Sequence, residues 1–323
     1  MPTRHDRCTL IAILCALLAA PAALHAQAPQ PAPAPAPAVR FSGYLQVRQS
    51  YQDGSGLATS LNRVRLGAAG SPAPALSWKI LTELRTGAVG TGRASVSLQD
   101  AFARYQRGVV AVQAGQFKTP FAREFLLSIT DLETPNRALV VDALAPKRDL
   151  GAMLELGVGL PVTLSAGAFN GEGVNLTANR DSTILAAGRL AGRPRAGVEI
   201  GANVAAFGGD SVRYGADAGL RLGRLALRGE YLRQRRDGGI VDDAGWYALA
   251  GVRVTRPLQL VARYEELQQR EAAEPVDARA WTAGGVVELI EQRAKLTFAV
   301  TGREDRPVTG WVEAAIAQLQ LRF

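Results

Sequence analysis

Histidine and cysteine are almost missing from this chain. The four residues present, His5, Cys8, Cys15 and His25, all lie within its first 26 positions. Beyond them a disulfide, a thiolate metal site, a cysteine nucleophile and a histidine-based triad are excluded. Lysine is scarce too, since Lys79, Lys118, Lys147 and Lys295 stand against 31 arginines after residue 26. No run of 18 apolar residues occurs between Val39 and Phe323, whereas a spanning helix needs ~20.

What is there begins with a secretory leader over residues 1–26. Arg4 and Arg7 form its positive start, Thr9 to Ala20 its apolar core, and small residues end it near Ala26. Cys15 follows Leu14, where a lipoprotein attachment would need a small residue. The leader takes Arg4, Arg7 and Asp6 with it, leaving 297 residues with 35 basic against 28 acidic side chains. Residues 27–38 are a Pro/Ala-rich spacer, semi-rigid because proline fixes φ and lacks a donor. The remainder, 39–323, is expected to be a single barrel.

That expectation rests on a period of two. Leu258, Leu260, Ala262 and Tyr264 alternate with Gln259, Arg263 and Glu265, and Phe323, Leu321, Leu319 and Ala317 alternate with Arg322, Gln320 and Gln318. Sixteen such segments can be marked: 40–51, 59–69, 75–86, 95–106, 109–118, 149–159, 161–170, 182–191, 195–207, 211–222, 224–235, 244–255, 258–269, 279–290, 293–303 and 310–323. Their lengths suit tilted membrane strands, which need ~9–11 residues. An even count fits a closed antiparallel barrel with both termini on the periplasmic side. The apolar faces are rich in Ala, Leu and Val, which suits fluid lipid better than an interdigitated core. The fold class predicted is therefore all-β, a sixteen-stranded antiparallel transmembrane β-barrel. Tyr44, Trp78, Trp246, Trp281 and Trp311 lie towards segment ends, where an interfacial aromatic girdle would sit. The terminal strand, ending on Phe323, is of the kind that the barrel-assembly machinery of the outer membrane recognises.

Residues 118–148 form the longest link between segments, and a long loop in a compact protein is commonly functional. Phe121, Phe125, Leu126, Leu127, Leu139, Val140, Val141 and Leu144 would be exposed if it projected into water. Folding inward as a constriction loop would bury them and leave Lys118, Arg123, Arg137, Lys147 and Arg148 near the pore, opposed by Glu124, Asp131, Glu133, Asp142 and Asp149. A surface loop at a subunit contact is the alternative. Strand parity then turns fourteen bases to the lumen: Arg48, Arg63, Arg65, Lys79, Arg85, Arg104, Arg189, Arg213, Arg221, Arg224, Arg228, Arg253, Arg263 and Lys295. The acids sharing that parity are Glu83, Asp100, Glu155, Glu199, Asp217, Glu230, Glu265 and Glu288. A positive interior between low-dielectric walls concentrates anions. A guanidinium fork meets phosphate or carboxylate oxygens in two parallel bonds. Arg63 and Arg65, one strand step apart on one face, are the leading anion contacts. Many of the others are expected to satisfy acids on neighbouring strands.

One stretch resembles a known family. GQFKTPFAREF at 115–125, RALVVDALAPKRDLGAML at 137–154 and GAFNGEGVN at 167–175 are similar to the phosphate-selective porin O and P family. Softer matches at 43–48, 63–70, 98–105, 245–251 and 258–267 extend the resemblance over most of the barrel. It implies a sixteen-stranded, usually trimeric outer-membrane channel for passive anion uptake. Phosphate-selective members line the pore with arginines that lead to a lysine cluster. Here the four lysines are scattered and the spacer holds no heptad for a trimer coil. Phosphate or polyphosphate thus stands beside a general or organic-anion and peptide porin.

Other classes fit poorly. A barrel protease or phospholipase leans on histidine with Asp or Ser, and the mature chain has none. A sequence pI near 9.9 invites nucleic acid, but arginines spread over alternating strand positions do not make one patch. The reading is a non-enzymatic outer-membrane porin of a Gram-negative bacterium. Its partners would be small anions, membrane lipid and two further copies of itself, with no cofactor, no metal and no nucleic acid.

Overall fold

The computed structural model describes residues 39–85, 94–179, 182–209, 211–236, 238, 241–270, 275–306 and 310–323. The expected leader and the Pro/Ala spacer lie outside the described residues. Sixteen strands follow one another: β1 Arg40–Gln52, β2 Gly56–Ala73, β3 Leu76–Arg85, β4 Ser95–Arg107, β5 Val110–Lys118, β6 Arg148–Leu156, β7 Val162–Phe169, β8 Leu185–Arg195, β9 Val198–Phe207, β10 Ser211–Leu222, β11 Leu225–Arg236, β12 Val241–Arg253, β13 Leu258–Gln269, β14 Val276–Ile290, β15 Ala294–Arg306 and β16 Val312–Arg322. Each pairs antiparallel with its sequence neighbours, and β1 pairs with β16 to close the barrel. Closure matters because a sheet edge inside lipid would leave backbone groups without partners.

The seam shows how the last residue is used. Gly43 N–H donates to the Phe323 carbonyl at 3.0 Å and Phe323 N–H returns a bond to the Gly43 carbonyl at 3.1 Å. The Phe323 ring lies across the bare backbone of Gly43, where an added Cβ would come within 2.5 Å of it. The expected alternation is present throughout. On β13, Leu260, Ala262 and Tyr264 face outward and exposed, while Val261, Arg263, Glu265 and Leu267 are buried inside. Outside, Trp246 and Tyr264 stack at 5.7 Å between ring centroids, near the Arg233–Asp242 and Arg279–Glu266 ion pairs of the outer rim.

Connections on the two rims differ. The rim that carries both termini has only short turns, such as 74–75, 108–109, 157–161, 196–197 and 223–224. The long links, 119–147 and 170–184, are on the other rim, which assigns the short-turn rim to the periplasm. The 119–147 segment carries two short helices, α1 Arg123–Leu126 and α2 Leu139–Leu144.

Candidate pore site

The 119–147 segment lies against lumen-facing side chains, because its own composition leaves it nowhere else to go. Phe121, Val140 and Val141 are fully buried, and together with Phe125 and Leu144 they pack on Leu232, Tyr247, Leu249, Leu267 and Ala278 from β11 to β14. At about 25 cal/mol per Å² of apolar surface, each large side chain withdrawn from water contributes on the order of 1.5–3 kcal/mol. A second small cluster joins Ile129 and Leu132 of the segment to Tyr44 of β1. This corrects the expectation for Tyr44. Its ring is inside the barrel, packed on the segment and 5.9 Å from the Arg65 guanidinium, and is not part of an outer girdle.

Backbone ends decide how the segment docks. The first N–H groups of a helix lack intrahelical partners and attract negative charge. Glu230 on β11 accepts from the N–H of Arg123 at 2.7 Å and of Glu124 at 3.2 Å. Glu265 on β13 accepts from Leu139 N–H at 2.5 Å, and Glu124 accepts from Ala138 N–H at 2.7 Å. Burial pushes the Glu124 carboxyl above its ordinary range, while Arg263, 3.5 Å away, pulls against that rise. Glu230 of β11 and Glu265 of β13 thus serve as caps for the segment.

Barrel cations answer its exposed carbonyls. Arg48 donates to the Pro135 carbonyl at 2.9 Å, Lys295 to that of Leu132 at 2.7 Å and Arg213 to that of Leu144 at 2.9 Å. Arg263 reaches Thr134 Oγ1 at 2.9 Å and the Asn136 carbonyl at 3.0 Å, and it also pairs with Glu265. Contacts running from β1 round to β15 tie the segment across the lumen.

Other expected contacts are held by acids. Arg65 and Arg85 share Glu83, at 2.6 and 2.8 Å. Lys79 and Arg148 share Asp100, at 3.0 and 2.7 Å. Arg104 pairs with Glu155, Arg123 with Glu199 at 2.6 Å and Arg228 with Glu133 at 2.7 Å. Arg189 is paired with Asp217 at 2.6 Å. Within the segment, Lys118 donates to the carbonyls of Phe125, Leu126 and Leu127, and Arg137 to those of Glu124, Phe125 and Leu127. Lys147 donates to the Asp142 carbonyl, and burial pulls its ammonium below the usual lysine range. The Phe125 ring lies within 6 Å of Lys118, Arg137 and Lys147, which places three cations around one aromatic quadrupole.

Four predicted contacts, Arg63, Arg221, Arg224 and Arg253, are held neither by a carboxylate nor by a carbonyl of the inserted segment among the described residues. Arg63 lies beside Arg65 on β2, across from Gln46, and its Nη1 donates to that glutamine at 3.5 Å and to the Asn62 side-chain oxygen at 2.9 Å. It is repelled by Arg65 and attracted by Glu83 and Asp142. Electrostatic repulsion links Arg48 and Arg137 to Arg63, and Lys118 to Arg148, Arg137 and Arg65. Arg221 and Arg253 stand at strand ends and Arg224 in the β10–β11 turn, all towards the short-turn rim.

Some functional positions escaped the sequence reading. Gln259 binds Glu133 at 2.6 Å, and Asn203 accepts the Ala122 N–H at 3.2 Å. Parity places both in the lumen, but a charge census passes over amides. Gly245 was unremarkable in sequence, yet a Cβ there would meet Val140 at 2.8 Å. Only glycine lets α2 lie this close to the wall.

No curated protein matches the chain in sequence. Residues 40–197 match the family described as phosphate-selective porin O and P, a match that runs from β1 through β8. Among solved structures, the loop L8 deletion mutant of OmpT, an outer membrane protein of Vibrio cholerae, superposes with a TM-score of 0.67 at 11% identity, covering 89% of this chain and 100% of that one. An anion-selective porin from Comamonas acidovorans gives 0.64 at 15% identity, with 89% and 100% covered. In-vitro-folded OmpT of Vibrio cholerae in its trimer form gives 0.63 at 10% identity, again with 89% and 100% covered. At these identities the likeness is one of fold. With its closed sixteen-stranded barrel, the chain is an outer-membrane porin that carries the phosphate-selective porin O and P pattern across its first eight strands.

Proposed function

We propose that small anions diffuse passively between the 119–147 segment and the β1–β4 wall, with the segment acting as the constriction. The observation that carries this is Arg63, a guanidinium without a carboxylate partner, set beside Arg65 on β2 and close enough to Arg48 and Arg137 to repel them. Such a field raises local anion concentration, and the paired acids Glu83 and Asp100 keep binding weak enough for release. The solved porin of Comamonas acidovorans, described as anion-selective, supports the same reading. Assembly as a homotrimer follows the trimer form of OmpT. The exposed Leu, Val and Ala faces suit membrane lipid, and the β16 strand with Phe323 suits recognition by the barrel-assembly machinery.

The test is a reversal potential in a planar bilayer under a KCl gradient. An anion-selective sign is expected, and a cation-selective one defeats the proposal. Phosphate or polyphosphate is the finer proposal, read by whether millimolar phosphate blocks chloride current. Absence of block leaves a general or organic-anion porin, a reading favoured by how many lumen cations are already held by acids or carbonyls.

A further inference from the structure

The lipid-facing wall is not uniform. From β2 to β7 its outward positions carry bulky side chains, such as Leu66, Ile80, Val112, Leu154 and Leu164, all exposed. From β10 to β14 they shrink. Ala218, Gly229 and Ala248 are cross-strand partners in succession, and so are Ala250, Ala262 and Ala283 in the next row. The result is a depression of about 850 Å³ in the outer surface. Its floor crosses from β10 to β14 at ~4.8 Å per strand, roughly 20 Å in all, and strand tilt makes it run obliquely through the membrane.

The two ends of this trough differ. At one, Tyr264 and Trp281 are partners across β13 and β14 and form an aromatic border, with the Trp281 indole over the bare backbone of Gly302 on β15. At the other, beside Ile200, Leu220 and Leu227, is Arg195. It pairs with Val198 across the 196–197 turn of the short-turn rim, and Val198 pairs with outward Leu220, so its side chain is on the lipid face. Arg195 is exposed and has no side-chain partner among the described residues. The other charged residues along this stretch, Glu199, Arg228 and Arg263, are turned inward to Arg123, Glu133 and Glu265. Among the described residues that line the trough, Arg195 is thus the outward charge.

The geometry points to a seat for one phospholipid of the periplasmic leaflet, its phosphate on Arg195 and an acyl chain along the alanine floor. An arginine at a membrane surface attracts an anionic headgroup, and its fork meets two phosphate oxygens. Alanine and glycine let the chain lie close to the backbone, where many small dispersion contacts add up. A second copy fits less well. The wall of a barrel is convex, and its branched side chains would span the depression without filling it. The seat goes beyond the general contact of the outer faces with lipid and does not depend on the anion-channel reading.

Native mass spectrometry of the folded full-length porin in neutral detergent, titrated with phosphatidylglycerol and with diacylglycerol of the same chains, tests it. One phosphatidylglycerol per barrel should be held more tightly than diacylglycerol, by about fivefold, the scale of one arginine near an anionic headgroup. Arg195→Gln should remove that difference and leave diacylglycerol binding as it was. Ala250→Leu/Ala262→Leu fills the floor and should weaken both lipids by about tenfold, the scale of modest overpacking. Ala103→Leu/Ala114→Leu makes the same change on the outward face of β4 and β5, far from the trough, and should leave both within about twofold. Heat-dependent gel mobility confirms that each variant is a folded barrel. No retained lipid, equal affinity for the two probes, or equal loss in both double variants overturns the seat. Loss of a trimer in Ala250→Leu/Ala262→Leu alone overturns it too, marking the face as a contact between copies. None of these variants changes a lumen side chain, so the KCl reversal potential reports separately on the anion reading.

Discussion

The two walls of the lumen carry charge for different ends. On β1–β4, Arg48, Arg63, Arg65, Lys79, Arg85 and Arg104 outnumber Glu83 and Asp100. On β9–β13 the lumen also carries Glu199, Asp217, Glu230, Asp243 and Glu265, and two of these accept helix N–H groups of the inserted segment. One wall keeps a net field facing the passage. The other spends acids on docking the inserted segment. Charge placed along a barrel therefore says little until its partners are known: the same Arg/Glu alternation leaves an excess of arginine on one side and makes a fastening on the other.

Breaking the fastening should have the largest effect. Glu265→Ala leaves Arg263 buried beside the uncapped Leu139 N–H, a loss of about 3–5 kcal/mol for a broken buried pair. The segment should undock, seen as a rise in single-channel conductance and new protease cleavage between residues 121 and 145. Gly245→Val attacks the same contact through volume. Its side chain would displace Val140, and overpacking of this kind costs about 1–3 kcal/mol. Conductance should rise with a smaller change in cleavage, and unchanged conductance would show that α2 does not bound the passage.

The other wall should respond in selectivity. Arg63→Glu reverses one unpaired charge without removing a segment contact, so the KCl reversal potential should move towards cations while cleavage stays as in the parent. A shift of equal size from Arg104→Gln, whose charge is already paired with Glu155, would contradict the distinction between free and held arginines. The smallest effect is expected at Ala122, which holds φ at +57° next to Asn203. Glycine there relieves strain of about 1 kcal/mol, a slight gain in thermal stability with no change in current.

Parity made much of this legible in advance. All sixteen strands fall on expected segments, with ends moved by a few residues, because lipid demands an apolar residue at every second position and water in the lumen demands the opposite. The inward turn of residues 119–147 was visible in Phe121, Val140 and Val141, since a chain in water does not present such a surface. Tyr44 shows where parity alone fell short. Its position near a segment end suggested the interface, while its parity matched that of the lumen-facing Gln46, and what decided its setting was Ile129 and Leu132, more than eighty residues away.

The sequence by itself determined the exclusion of cysteine and histidine chemistry, the barrel, its strand count and the excess of arginine. Each follows from composition or a local period. Only the tertiary structure decided which arginines remain free and that Glu230 and Glu265 cap the inserted helices. The physical reason is that a charge acts through its net field after its partners are subtracted. Those partners come from strands and a loop far apart in the chain.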